Sequence, residues 1–217
     1  MAHAAIGGGS KLPSVLGLLL VLAGALAWLD REVRAETVAV LGPSHLDQTT
    51  TTPYSLALDA SGQTVRLEGL IDFGITRDLT ALLEATSDVR SIELESPGGR
   101  VAEARGLIKV IERFALQTSA VGDCASACAL VYMSGHTRYL EPGARLGFHR
   151  YGLFSPLVAL FLDPEAELEK DLAVFRRHDV AETFIERLAA TPHETMWFPS
   201  PAELLRARVV DVVGRPD

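Results

Sequence analysis

Residues 91–150 read SIELESPGGRVAEARGLIKVIERFALQTSAVGDCASACALVYMSGHTRYLEPGARLGFHR, and three short pieces within them decide the fold. The pieces are Ser96-Pro97-Gly98-Gly99, Cys124-Ala125-Ser126-Ala127-Cys128 and Gly147-Phe148-His149. Each closes an apolar, strand-like run: SIELE before the first, LQTSAVG before the second, ARLGF into the third. The first two lead straight into helical patterns. Val101, Ala104, Leu107, Ile108 and Ile111 recur at helical spacing and form an apolar stripe. Residues 125–133 are apolar on most faces, as a buried helix requires. Strands alternating with helices predict an α/β fold, and in such sheets ligands bind in the crevice outside the strand ends.

The same pieces carry nucleophile chemistry. Gly98 and Gly99 allow a sharp turn that exposes amide N–H groups. Ser126 falls at the first turn of a helix, where amides lack intrahelical partners and the dipole favours negative charge. A hydroxyl there, with the Ala127 N–H beside it and the Gly99 N–H facing it, describes a nucleophile and an oxyanion hole. His149, ending another strand, supplies the base, because a neutral imidazole can take a serine proton near pH 7. C-A-S-A-C is not G-x-S-x-G, so the α/β-hydrolase elbow is disfavoured. Cys124 and Cys128 are the only cysteines. Two readings stay open for them: a disulfide across the serine, easiest if Cys124 sits just before the helix, or a pair of buried free thiols. A zinc site is not expected, since two thiols and scattered histidines lack paired ligand spacing, and no other cofactor is implied.

In order and spacing, SPGGRV, DCASACA and GFHRY resemble the Clp protease proteolytic subunit and the wider crotonase superfamily. The tail WFPSPAELLRARVVDVV is similar to that family's ending, so the likeness runs over residues 65–213. It implies an α/β spiral of ββα units and a serine peptidase. Ser126 would be the nucleophile, His149 the base, and Gly98, Gly99 and Ala127 the oxyanion hole. It also implies a homo-oligomer, with the segment after the histidine making the contacts. The family's aspartate would fall at position 196, which is Met196, leaving Glu194 as the nearest acid to orient His149. Signal-peptide-peptidase-like members pair their serine with a lysine on a later helix, which makes Lys170 a rival base. Lys170 sits among acids, from Glu167 to Asp171, and a surface ion pair is the simpler account of it. Cysteines on both sides of the serine resemble an exported bacterial branch.

The remainder of the chain frames this core. Its 217 residues are 48% hydrophobic and 22% charged, a globular composition suited to one domain with an appendage. A net charge of −8 argues against a nucleic-acid partner, because phosphate binding needs clustered Lys and Arg. The nearest cluster, Arg176-Arg177-His178, reads as a solvated helix face. Residues 12–29, LPSVLGLLLVLAGALAWL, carry no charge and approach the length that spans a membrane, so residues 1–35 read as an anchor or signal segment. Residues 36–53, with Gly42-Pro43-Ser44 and a threonine run, read as a linker, and residues 54–217 as the catalytic domain. Either leader places that domain on the exported side, periplasmic or extracellular. An ATPase partner is not expected there, and the absence of coenzyme A disfavours crotonase-type thioester chemistry.

Within the domain, residues 55–59 and 64–70 predict a hairpin and residues 76–86 a helix. Residues 137–140 and 145–149 look like a strand pair turning at Glu141-Pro142-Gly143. The apolar run YGLFSPLVALFLD over residues 151–163 reads as core or subunit contact, with a substrate channel or membrane-facing patch as the functional reading. Residues 164–190 predict one long helix, 200–206 a short one and 209–213 a last strand. A non-catalytic binding scaffold of the same fold is the alternative, motivated by Met196.

Overall fold

The computed structural model describes residues 53–150, 152 and 163–216. The expectations for residues 1–35, for the linker up to residue 52, and for most of the apolar run after His149 lie outside the described residues. Residues Thr52–Asp217 form one compact unit.

The hairpin is present: β1 (Tyr54–Leu58) pairs antiparallel with β2 (Thr64–Gly69). From β2 onward every pairing between strands is parallel. Strand β2 leads through helix α1 (Ile75–Ala85) to β3 (Ser91–Ser96), and β3 through α2 (Val101–Arg113) to β4 (Gln117–Ala125). Strand β4 runs into α3 (Ala127–Tyr132), followed by β5 (Arg138–Leu140) and β6 (Arg145–Gly147). The sheet order is β1-β2-β3-β4-β5-β7, where β7 is Val212–Val213, and β6 joins β4 off that path. The core lies between sheet and helices. Val65, Leu67, Ile92, Leu79, Leu107 and Ile111 are completely buried there, which is what the apolar stripes of α1 and α2 require.

Two expectations are corrected. β5 and β6 do not pair with each other. Both pair with β4, β5 along Thr118–Ala120 and β6 along Asp123–Ala125. Strand β4 is long enough to serve two partners, and its register with β3 shifts between Leu94 and Ser96. The long helix is two: α4 (Pro164–Arg177) and α5 (Glu182–Ala190). Asp179, at φ 55, turns the chain between them; a short polar side chain tolerates that region better than most. Helix α6 (Pro201–Arg206) starts at a capping box, in which the Ser200 hydroxyl and the Glu203 carboxylate satisfy each other's backbone N–H.

The register is what builds the site. Ser96 aligns with Cys124, and Cys124 with Leu146, so β3, β4 and β6 end side by side. Gly98-Gly99, Ser126 and His149 each follow one of those ends by one to three residues.

Candidate active site

Ser126 sits between β4 and α3 with φ 57 and ψ −124, where L-residues are seldom found. Such strain costs about 1–3 kcal/mol and persists only when the surroundings over-determine it. Here the Ser126 N–H donates to Gly147 O at 2.9 Å, tying the turn to the end of β6. Gly98, at φ +102, packs against it: a Cβ on Gly98 would lie 2.7 Å from Ala125 O and 2.8 Å from Ser126 Cβ. Gly99, at φ +148, is pressed against Ile71, whose carbonyl oxygen would be 2.2 Å from a Cβ. Only glycine permits both approaches.

The hydroxyl and the imidazole meet. Ser126 Oγ lies 2.7 Å from His149 Nε2, and His149 Nδ1 lies 2.9 Å from the carbonyl oxygen of Arg150. A carbonyl can only accept, so Nδ1 carries the proton. Nε2 of the neutral ring is then bare and accepts from the Ser126 hydroxyl. The ring is held further by His193, which packs on it with centroids 5.2 Å apart and planes 32° apart. Beneath it, Phe148 fills an aromatic cluster with Phe175, Phe184 and Trp197, and exchanges two 2.9 Å backbone hydrogen bonds with Trp197. Burial lowers the His149 pKa from its ordinary value. The Arg150 carbonyl and the charge of Glu194 oppose the shift, and His193 adds to it.

Two expectations for the site change. Glu194 is exposed and acts on His149 only through its charge; the Arg150 carbonyl takes the Nδ1–H instead. Gly98 is not an oxyanion donor, because its N–H is given to Ser96 Oγ at 3.1 Å. Its role is to make room. The N–H groups of Gly99 and Ala127 take part in no hydrogen bond among the described residues, and both residues line the cleft beside Ser126 and His149. Lys170 is 61% exposed and paired with Glu167, and it does not line the cleft.

Of the two cysteine readings, the structure has the disulfide: Cys124 and Cys128 are joined. The cleft encloses ≈ 620 Å³ of space, open solvent included. Its walls are mostly apolar, with Val101, Leu130, Leu168, Leu172 and Leu188 among them. One carboxylate interrupts them. Asp171 faces Arg105, whose Nε is 2.8 Å from Asp171 Oδ1, and the same guanidinium reaches Glu167. Burial raises the Asp171 pKa in spite of the arginine. In sequence, Glu167 and Asp171 read as surface acids around Lys170. Their i, i+4 spacing, which turns both to one helix face, was the available signal for a shared partner. No cluster of His, Cys, Asp and Glu able to hold a metal ion exists among the described residues.

No family model matches the chain, and no curated protein does. Among solved structures it is similar to a point mutant of ClpP1 from Listeria monocytogenes, with a TM-score of 0.60. The fold is Clp-like. The match covers 72% of this chain and 93% of that one at 16% sequence identity, so the likeness is one of fold. The Clp-like fold accounts for the convergence of the ends of β3, β4 and β6.

Proposed function

We propose that this chain is an ATP-independent serine peptidase of Clp-like fold, with Ser126 and His149 as a dyad. The observation that carries the proposal is the 2.7 Å contact between Ser126 Oγ and a His149 Nε2 whose tautomer is set by the Arg150 carbonyl. Ser126 Oγ bonds to the scissile carbonyl carbon while Nε2 takes its proton. The carbonyl oxygen, now negative, receives the Gly99 and Ala127 N–H groups, the latter at the start of α3. When the C–N bond breaks, Nε2 gives its proton to the leaving amine. Water then enters and loses a proton to Nε2 as its oxygen bonds to the acyl carbon; the bond from that carbon to Ser126 Oγ breaks, Nε2 returns the proton to Oγ, and the acid leaves. The apolar walls of the cleft support a substrate residue with an apolar side chain beside the scissile bond.

The substrate is a peptide or protein, the active form a homo-oligomer, and the domain exported and tethered or released through residues 1–35. The Cys124–Cys128 bond supports an oxidising compartment. The Arg150 carbonyl weakens the case for a catalytically silent scaffold, because the acceptor missing at Met196 has a substitute. A fluorophosphonate probe tests the reading: it labels the wild-type chain and not Ser126→Ala. Absence of labelling in the folded, oxidised protein refutes it.

A further inference from the structure

We propose that the Cys124–Cys128 disulfide holds the nucleophile in its reactive geometry, so that hydrolysis at Ser126 depends on the oxidation state of these thiols. The inference rests on the peptidase reading and assigns the regulation of that site. Cys124 is the penultimate residue of β4 and Cys128 the second of α3. The bond therefore ties the strand end to the helix start, and Ser126 stands at the apex of the small loop it closes.

Ser126 needs such a tie. At φ 57 and ψ −124 its backbone relaxes toward negative φ unless something opposes the rotation. The other restraints on its two flanking peptides are few. Ser126 N–H donates to Gly147 O at 2.9 Å, and Leu130 N–H reaches Ser126 O at 3.3 Å, beyond the usual range. No side chain caps α3, and its six residues are too few to hold a helix by themselves. Relaxation at Ser126 carries Cys128 away from Cys124, Oγ away from His149 Nε2, and the Ala127 N–H out of the cleft. The S–S bond blocks the first of these movements and so the other two. Both cysteines are 0% exposed, within the core beside the cleft rather than on the surface. A loop this short constrains the unfolded chain little, so the bond acts on the turn more than on the whole fold.

Reduction by a dithiol breaks the Cys124 Sγ–Cys128 Sγ bond. Two electrons and two protons pass to the protein, two thiols form, and the reagent closes into its own disulfide.

The test uses the full chain in three forms: oxidised, dithiothreitol-reduced with thiols counted after denaturation, and C124A/C128A. Thermal unfolding establishes that each is folded; if the double variant is not, the reduced protein carries the comparison. Two quantities are read. One is the rate of fluorophosphonate labelling. The other is the His149 side-chain nitrogen resonances by NMR, with and without Ser126→Ala, which report the Oγ–Nε2 contact without turnover. The expected result is that labelling falls about tenfold or more on loss of the disulfide, and that Ser126→Ala perturbs His149 in the oxidised form alone. A contact that survives reduction unchanged overturns the inference, whatever the labelling does. If no form labels but the contact still depends on the disulfide, the peptidase reading falls and the positioning role stands.

Discussion

Replacing Gly98 by alanine separates backbone strain from crowding of the nucleophile, because Gly143 provides a matched control. Gly98 has φ +102 and Gly143 φ +90, so alanine is strained at both, by about 1–2 kcal/mol. Around Gly143 nothing lies within 4 Å of an added Cβ. At Gly98 the same atom meets Ala125 O at 2.7 Å, Ser126 Cβ at 2.8 Å and Ala127 N at 3.0 Å. Ordinary carbon contacts lie at about 3.5–4.0 Å, so the serine turn must retreat by several tenths of an ångström. A displacement of about 1 Å at a reacting centre costs on the order of 100-fold in rate. Gly98→Ala is therefore expected to slow fluorophosphonate labelling of Ser126 by about tenfold or more and to lose about 2–4 kcal/mol of stability, strain and overpacking together. Gly143→Ala loses only the strain and labels at the wild-type rate. Denaturant melts and labelling kinetics on the two variants suffice. A Gly98→Ala protein that labels like wild type refutes the claim that this glycine makes room for the nucleophile.

Other outcomes follow from the same geometry. The base works only when neutral, and burial lowers the His149 pKa; hydrolysis should fall as pH drops through a midpoint below the ordinary value of about 6.5, and a midpoint above 7 contradicts this. The sign for stability is the same. His149 and His178 both bind protons less readily when folded, so the unfolded chain takes up more protons and stability declines as pH falls below about 6.5. His149→Ala should abolish labelling while Lys170→Ala leaves it intact; the reverse pattern restores the lysine as base. Arg138, almost fully buried, bonds Asp211, the carbonyls of Val209 and Arg208, and His178 Nδ1. Arg138→Met should cost about 2–4 kcal/mol in a denaturant melt, discounted because Asp211 keeps some water, and a loss under about 1 kcal/mol contradicts it.

The strand–helix alternation was legible because its signals are local: alternating residues in β1 and β2, and helical stripes in α1 and α2. The order of the three motifs was legible too, and the structure brings Ser126 and His149 together. Partner choice was not. Residues 138–140 and 145–147 look like neighbours in sequence, yet each is completed by a different part of β4, a fact set by tertiary register. The break at residues 178–181 left no mark, since apolar residues continue on both sides and Asp179 turns the chain without glycine or proline. The acceptor for His149 Nδ1 is a backbone carbonyl, present at every residue and therefore invisible in any motif. Asp171 was legible as a charge, but its inward orientation depends on Arg105 arriving from another helix.

That backbone acceptor sets a limit on the proposed chemistry that can be lifted by one substitution. A carbonyl fixes the tautomer of His149, but it is neutral, and hydrogen bonds to ionised acceptors are roughly twice as strong. The imidazolium formed when Ser126 attacks is thus stabilised less than a carboxylate would stabilise it. The register shows where a carboxylate belongs. Phe148 and Trp197 exchange two backbone hydrogen bonds, so position 196 falls across from His149, in the closer type of antiparallel pair. Met196 is 37% exposed there, and its Cγ would lie 3.0 Å from a Cβ on Gly147, two residues along the same strand face. Met196→Asp should therefore raise the His149 pKa, moving the acidic limb of the pH profile upward while increasing the rate on its plateau. NMR titration of His149 and labelling rates across pH measure both. A pKa unmoved by the new carboxylate means that position 196 does not face the base, and that the backbone carbonyl is not standing in for a missing side chain.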